Sequence, residues 1–507
     1  MELTSLGQEQ ERMAWNEPDK IALTFEGRRF TYMQWRDRTN QLANALLKQG
    51  VMKGDKVSIL AYNCQHFFEL YVACCKIGAV MVPINFRLVG RELIYILDDS
   101  DTVAFIFTED FQDAVESIKS SLDKVKLFIH VGFEKKCPDY AVDYENFLAD
   151  SSKDLPHHTI RENDPVSLIY TSGTTGFPKG AVFTNRMHAS TVAGLTEWKL
   201  NYADIFLCVG PAFHSAALHI SVSHLLMGGS VVIMKHFDIK GVLDNFQKEK
   251  ITTVFMVPTM WESAATYPEI DHYDLSSLRV LISVGAPLPD STKLKILHSF
   301  PNADLNEYYG STEAGAITNL RHADQRRKVN CVGQVIFGVN IRLVDDDDND
   351  VPAGEVGEVA VSSAQCISSY YNKPEATAKT IRNGWLHTGD MGRWDDEHYL
   401  YLVDRKIDMI ISGGENIYPR EIEEVLLLNQ KIAEAAVVGT PDEKWGETVN
   451  AFIVLTPASQ MSEDEVLAYC KENLAKYKIP RKFIFTENLP RNASGKVLKR
   501  ELVKQVQ

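Results

Sequence analysis

Short apolar runs alternate with amphipathic stretches along most of the chain, and that alternation limits the fold more than any other feature. The runs at 56–61 (KVSILA), 79–83 (AVMVP) and 102–108 (TVAFIFT) read as buried strands. Between them lie helical patterns at about 65–76 and from Arg91. Ahead of them, Thr31 and Gln34 have capping-box spacing, which predicts a helix that buries Trp35, Leu42, Ala45 and Leu46 and ends at Gly50. The pattern resumes with strands at 166–169, 204–209, 230–234, 253–257 and 280–284. Strands separated by helices pair in parallel, so the expected class is α/β. Ligands of such sheets bind beyond the carboxyl ends of the strands. The stretches after Ile169, Val209, Val284 and Leu305 are therefore expected to form one site.

At 507 residues the chain exceeds the size of a single core, so more than one domain is expected. A net charge of −15 argues against a nucleic-acid or anionic-membrane surface while leaving room for a local anion site. The N-terminus has no basic segment followed by an apolar run, and the most apolar stretch, 67–85, is broken by Glu69 and Lys76. Neither a secretory signal nor a membrane span is expected, and the expected location is cytoplasmic. The eight cysteines lack metal-site spacing and read as scattered, mostly buried thiols.

Beyond about residue 330 the character changes. Strands at 340–344 and 357–361 flank the acidic run 345–350 (DDDDND), which reads as a solvated turn. Pro419 stands where a helix begins, with Glu421, Glu423 and Glu424 in its opening turns. Strands at 435–438 and 449–455 are expected to meet at a turn over 440–443. Ser462 and Glu465 form a second capping box, opening a helix that stops before Pro480.

The chemistry concentrates at 170–181 (YTSGTTGFPKGA), directly after an apolar strand. Gly173, Gly176 and Gly180 free the backbone to approach a ligand, and Thr171, Ser172, Thr174, Thr175 and Lys179 supply hydroxyl and ammonium donors. Composition alone fits a phosphate cradle or a plain surface loop equally. A Walker A loop is excluded because Lys179 is followed by Gly180; at 494–496 (SGK) the lysine is followed by Val497. Neither a G-x-S-x-G elbow nor an H-E-x-x-H pair occurs.

A set of motifs does fit together: YTSGTTGFPKG at 170–180, VGAPLP at 284–289, NEYYGSTEAG at 306–315, GWLHTGD at 384–390, VDRKIDMIISGGENIYPREIE at 403–423 and LPRNASGKVLKREL at 489–502. In order and spacing these resemble the adenylate-forming superfamily of acyl-CoA synthetases, luciferases and peptide-synthetase adenylation domains. The resemblance covers most of the chain. It implies a large N-terminal domain of layered α/β subdomains (1–403), a hinge at 404–408 and a small mobile α+β C-terminal domain (409–507).

It also implies roles. The loop with Thr171, Ser172, Gly173, Thr174, Thr175, Gly176 and Lys179 would hold the β- and γ-phosphates of ATP. Thr312 would contact the α-phosphate, beside Gly310 and Ser311, and Glu313 would ligate Mg²⁺. Gly285, Ala286 and Pro287 would line one adenine face, with Tyr309 on the other. Asp390 would accept the ribose hydroxyls, helped by Arg405, and Lys496 would bridge the substrate carboxylate and the α-phosphate. Taken singly, Tyr309 reads more readily as core, Asp390 as a turn residue, Arg405 as a surface ion pair and Lys496 as a solvated loop lysine; the ordered set of motifs reverses that preference.

His214 follows Phe213 where amino-acid-activating relatives carry aspartate, so it resembles the fatty-acyl and aryl branches; a core histidine is the other reading. Trp445, Tyr477, Lys478 and Arg481 resemble positions that meet the nucleotide of coenzyme A, and Gly413 and Gly414 a loop facing the thiol. With no carrier-protein segment after residue 507, coenzyme A is the expected acceptor, and a carboxylic acid, ATP and CoA the expected partners. A homodimer stays open. Two departures stand out: Ile407 at the hinge, and Ser362-Ser363 where Arg-Gly commonly follows GEVAV. The favoured reading is an AMP-forming acyl-CoA synthetase. The alternatives are an acyl-AMP ligase serving a separate carrier protein and a non-catalytic acyl or nucleotide sensor.

Overall fold

The structure is a computed structural model that describes residues 5–171, 178–405, 408–412, 415–442, 446–474, 476–491 and 497–506. The chain divides into two compact units, residues 1–340 with 361–386, and 341–360 with 387–507.

The larger unit is built on two sheets. Among the described residues the first has nine strands. Its parallel body runs Asp304–Ser311, Val280–Ser283, Thr253–Met256, Ile205–Cys208, Ser230–Ile233 and Ile21–Phe25. Arg28–Thr31 closes one edge antiparallel, and Gly315–Leu320 with Gln334–Val335 the other. The second has, among the described residues, seven strands: Val142–Asp143, Leu127–Val131, Thr102–Thr108, Lys56–Leu60, Val80–Pro83, Pro165–Thr171 and Lys179–Thr184. All are parallel except the last, which turns back antiparallel on Pro165–Thr171. The expected α/β alternation is present, and the capping box at Thr31 opens the helix Tyr32–Lys48.

The apolar stretch around 67–77 is the helix Gln65–Ile77, buried along its whole length. It packs on Val80–Pro83 and Pro165–Thr171 of one sheet and on Ile21–Phe25 of the other. A helix covered all round has no polar face, which explains its membrane-like composition. The two charges that interrupt it are paired. Glu69 accepts from Arg38 Nε at 2.6 Å and from Tyr144 OH at 2.6 Å. Lys76 Nζ donates to Glu11 Oε1 at 2.8 Å and Asn40 Oδ1 at 2.5 Å. Among the described residues no helix is long and apolar enough to cross a membrane. All eight cysteines are free thiols, six buried and two half-buried.

A sheet made mostly of smaller-unit residues places Val339–Val344 beside Gly357–Ser363, which neighbours Trp385–Trp394, itself paired with Leu400–Arg405. The aspartate run is a turn: Asp345 Oδ1 accepts from the backbone N–H groups of Asp347 and Asn349, each at 2.9 Å. A second sheet holds Glu415–Ile417, Ile410–Ser412, Gly446–Leu455 and Ile432–Asp442, with Lys482–Phe485 parallel to Gly446–Leu455. Ile422, Leu426, Val437, Ile453, Val466 and Cys470 form its core. The helix Pro419–Leu427 has its proline in the first turn, and Ser462 caps Glu463–Asn473 with a full capping box.

One boundary differs from expectation. The strand Ile432–Asp442 runs through 440–442, with Pro441 opposite Glu447 and Asp442 opposite Gly446. Residues 440–442 of the expected turn are therefore strand, and 443–445 lie outside the described residues. Pro441 is tolerated because this strand is the edge of its sheet, where a missing N–H costs little.

Candidate active site

The carboxyl ends of the two sheets meet in the larger unit. Asn63, just past Lys56–Leu60, donates from Nδ2 to Gly210 O at 2.9 Å and Met234 O at 3.1 Å, and accepts from Ala212 N at 2.7 Å. This buried amide joins the ends of three strands.

The glycine loop leaves Pro165–Thr171 and returns in Lys179–Thr184, and its base is closed by pairing of Thr171 with Lys179. Ser172, Gly173, Thr174, Thr175 and Gly176 lie outside the described residues. Both flanks are anchored. Tyr170 OH donates to Asp99 Oδ2 at 2.9 Å, and Tyr95 OH donates to Pro178 O at 2.9 Å. Lys179 Nζ stands 5.4 Å over the ring of Tyr370.

The stretch 306–311 was expected to follow a strand; it is the strand. Asp304–Ser311 pairs with Gly315–Leu320 as far as Ser311 opposite Gly315, so Thr312 and Glu313 occupy the hairpin turn. Tyr309 is thereby buried within the strand. Gly310 has no alternative, because a Cβ there would sit 2.1 Å from Gly315 O. Ser311 Oγ accepts from Ala314 N at 3.1 Å, which tightens the turn.

This turn meets the glycine loop. Thr171 Oγ1 donates to Glu313 Oε1 at 3.1 Å, and Tyr370 OH donates to the same oxygen at 2.9 Å. Glu313 Oε2 has no hydrogen bond among the described residues. Burial, and then the adjacent Glu313 carboxylate, push the Tyr370 phenol well above its ordinary value, so it stays a donor. Ser215 Oγ, in the first turn of the helix Ser215–Leu226, donates to Thr312 Oγ1 at 3.4 Å. His214 is the N-cap of that helix, half-buried, with its ring 4.2 Å from that of Phe213. Gly285, Ala286 and Pro287 are exposed just past Val280–Ser283, and Gly285 takes φ +98°, a left-handed conformation other residues rarely hold. Glu313, with one oxygen fixed by two donors and the other open, is a hard-oxygen donor suited to Mg²⁺. Among the described residues no cluster of three or more His, Cys, Asp or Glu side chains could hold a metal.

In the smaller unit, Asp390 is 9% exposed and stands opposite Arg405 in the strand register. Its backbone N–H donates to Thr388 Oγ1 at 3.1 Å, and Thr388 Oγ1 donates to Val359 O at 2.9 Å. Lys478 Nζ is paired with both oxygens of Glu421, at 2.5 and 2.7 Å. Arg481 is exposed, its backbone N–H bonded to Val449 O. Arg405 and Tyr477 are described in their backbone alone, while Ile407, Gly413, Gly414, Trp445 and Lys496 lie outside the described residues. Arg491 and Val497, on either side of the segment with Lys496, pair antiparallel.

Sequence reasoning brings together Thr171, Lys179, Thr312 and Glu313, as the structure does. It misses Tyr370 and Ser215. Tyr370 lies in the stretch after GEVAV, where the chain departs from the family pattern at Ser362-Ser363, and the adjacent Tyr370-Tyr371 pair is its one mark in the sequence.

Comparison with known proteins identifies the family. The family described as AMP-binding enzyme matches residues 11–371, and the AMP-binding enzyme C-terminal domain matches 421–496. A feruloyl-CoA synthase from Amycolatopsis sp is 37% identical over 97% of each chain. A fatty acid–[acyl-carrier-protein] ligase from Streptomyces coeruleorubidus is 33% identical over 96% of this chain and 94% of its own. The o-succinylbenzoate CoA synthetase from Bacillus subtilis, solved with its acyl-adenylate intermediate, superposes with a TM-score of 0.87 at 30% identity, covering 99% of this chain and 98% of its own. The chain belongs to the AMP-binding, adenylate-forming enzyme family. Within it the protein is an ATP-dependent acid–thiol ligase of the acyl-CoA synthetase branch.

Proposed function

We propose that the protein joins a fatty or aryl carboxylic acid to coenzyme A in two steps. A carboxylate oxygen attacks the α-phosphorus of ATP, the bond to the β-phosphate bridging oxygen breaks, and pyrophosphate leaves acyl-AMP behind. The CoA thiolate then attacks the acyl carbonyl carbon, and AMP departs with the bridging oxygen. The carboxylate is already a nucleophile, so positioning and charge neutralisation supply the rate.

The observation that carries this reading is the bond between Thr171, at the base of the glycine loop, and Glu313 in the hairpin turn, which joins the loop to the turn at the strand ends. In this reading the loop residues 171–179 hold the β- and γ-phosphates and Thr312, steadied by Ser215, meets the α-phosphate. Glu313 would hold Mg²⁺, which when bound neutralises phosphate charge. Gly285, Ala286, Pro287 and Tyr309 receive adenine, Asp390 with Arg405 the ribose, and Lys496 the charge between carboxylate and α-phosphate. His214 borders the path from acyl group to thiol. Gly413 and Gly414 face the thiol, and Trp445, Tyr477, Lys478 and Arg481 receive the CoA nucleotide. Lys478 exchanges its Glu421 partner for phosphate when CoA binds. Residues 404–408 act as the hinge that brings the C-terminal residues to each step in turn.

A second acceptor has one specific support: the relative from Streptomyces coeruleorubidus whose name gives an acyl-carrier protein. Acyl-AMP prepared in place and offered CoA or a carrier protein separates the two. Rapid AMP release with CoA alone supports the CoA reading, and release with the carrier alone overturns it.

A further inference from the structure

The stretch 367–373 crosses the nucleotide side of the larger unit and touches several of its parts at once. Its Ile367 N–H donates to Glu313 O at 2.8 Å, its Tyr371 N–H donates to Gly180 O at 2.8 Å, and Ser369 O accepts from Val182 N at 3.1 Å. Lys373 Nζ is paired with Asp99 Oδ1 at 2.5 Å, the carboxylate that also anchors Tyr170. The backbone of this stretch is thus fixed to the hairpin turn and to the strand that leaves the glycine loop. Tyr370 sits at its centre and reaches two functional side chains with two different parts of one ring system. Its hydroxyl donates to Glu313 Oε1 at 2.9 Å, and its ring face carries Lys179 Nζ at 5.4 Å.

We propose that Tyr370 is a positioning residue that sets Glu313 and Lys179 together for the metal–triphosphate group of ATP. The inference rests on the nucleotide reading of those two residues given above. Two donors on Glu313 Oε1, Thr171 and Tyr370, fix the rotation of the carboxylate and leave Oε2 open for the cation. Without the phenol the carboxylate regains rotational freedom and loses a bond to a charged acceptor. The ring face holds the ammonium by its quadrupole without neutralising it, so the lysine keeps its full charge for phosphate. Tyr370 reacts with nothing; it acts through Glu313 and Lys179.

The two contacts separate by substitution. Tyr370→Phe keeps the ring and removes the hydroxyl; Tyr370→Leu removes both. The test is Mn²⁺ binding to the full chain in the presence of ATP, followed by the electron paramagnetic resonance signal of free Mn²⁺, alongside metal-free ATP binding by calorimetry. Tyr370→Phe is expected to weaken Mn²⁺ binding about tenfold while binding metal-free ATP as the wild type does. Tyr370→Leu is expected to weaken both. In a Glu313→Gln background, Tyr370→Phe is expected to have no further effect on Mn²⁺. Wild-type Mn²⁺ affinity in Tyr370→Phe, or an undiminished effect in the Glu313→Gln background, overturns the proposal. Failure of the wild type itself to bind ATP with Mn²⁺ overturns the nucleotide reading instead.

Discussion

Thr171 and Glu313 are far apart in sequence and stand on different sheets, yet Thr171 Oγ1 donates to Glu313 Oε1 at 3.1 Å. One is the last residue of a strand in the seven-stranded sheet, the other lies in a hairpin turn of the nine-stranded sheet. The contact makes the loop base and the carboxylate a single unit, and the first prediction follows from it. Thr171→Val removes the donor and keeps the shape, and is expected to lower kcat/KM for Mg-ATP by about tenfold. Thr171→Ser restores most of the loss. Steady-state kinetics at varied Mg-ATP read both.

Lys496 is expected to act in the first step alone. Lys496→Ala should slow acyl-AMP formation by about 10²- to 10³-fold, the range seen when one charge-stabilising donor is removed. Thioester formation from preformed acyl-AMP should proceed at the wild-type rate. Single-turnover measurement of each half-reaction checks this, and equal loss in both contradicts the assigned role.

Asp390 is expected to recognise ribose. Asp390→Ala should lower kcat/KM for ATP by roughly 10- to 100-fold, as expected when a charged hydrogen-bond partner is lost. It should also erase most of the preference for ATP over 2′-deoxy-ATP. Parallel kinetics with the two nucleotides test it, and a preference that survives the substitution argues for a purely structural carboxylate.

Glu69 is expected to govern stability, because it is buried and bonded to Arg38 and Tyr144. Burial pushes its carboxyl up, but Arg38, with His66 and Tyr144, more than reverses that and leaves it below the usual carboxylate range. A carboxyl lowered in the folded state contributes stability that is fully present above the unfolded value of about 4.3 and is lost as pH falls toward the folded one. Glu69→Gln leaves Arg38 with Glu145 as its remaining carboxylate partner and should cost about 3 kcal/mol at neutral pH. Urea unfolding at several pH values should show the gap between wild type and variant shrinking below pH of about 4.3.

Much of this site was legible in the sequence because its parts are local. A strand followed by glycines, hydroxyls and a lysine marks a candidate anion loop, which the ordered motifs favour over a plain surface loop, and Thr312-Glu313 stands out through the motif around it. The capping boxes at Thr31 and Ser462 were readable for the same reason, since each is completed within four residues. What escaped was tertiary. Tyr370 matters through a bond to a residue 57 positions away and a cation on another strand, and nothing in its own neighbourhood encodes either partner. The strand 432–442 ran past Pro441 because its edge position removed the cost that a proline exacts in a central strand, and edge position is a property of the assembled sheet. The membrane-like composition of Gln65–Ile77 follows from packing on strands of both sheets, a property of the assembled fold.

Adenylation is the central claim, and acid-dependent exchange of labelled pyrophosphate into ATP tests it most directly. With Mg-ATP and a panel of fatty and aryl acids, and with CoA left out, at least one acid should drive rapid exchange, because acyl-AMP forms reversibly before any thiol is needed. Exchange that no acid elicits from protein shown to bind Mg-ATP, or exchange that begins only when CoA is added, contradicts the account.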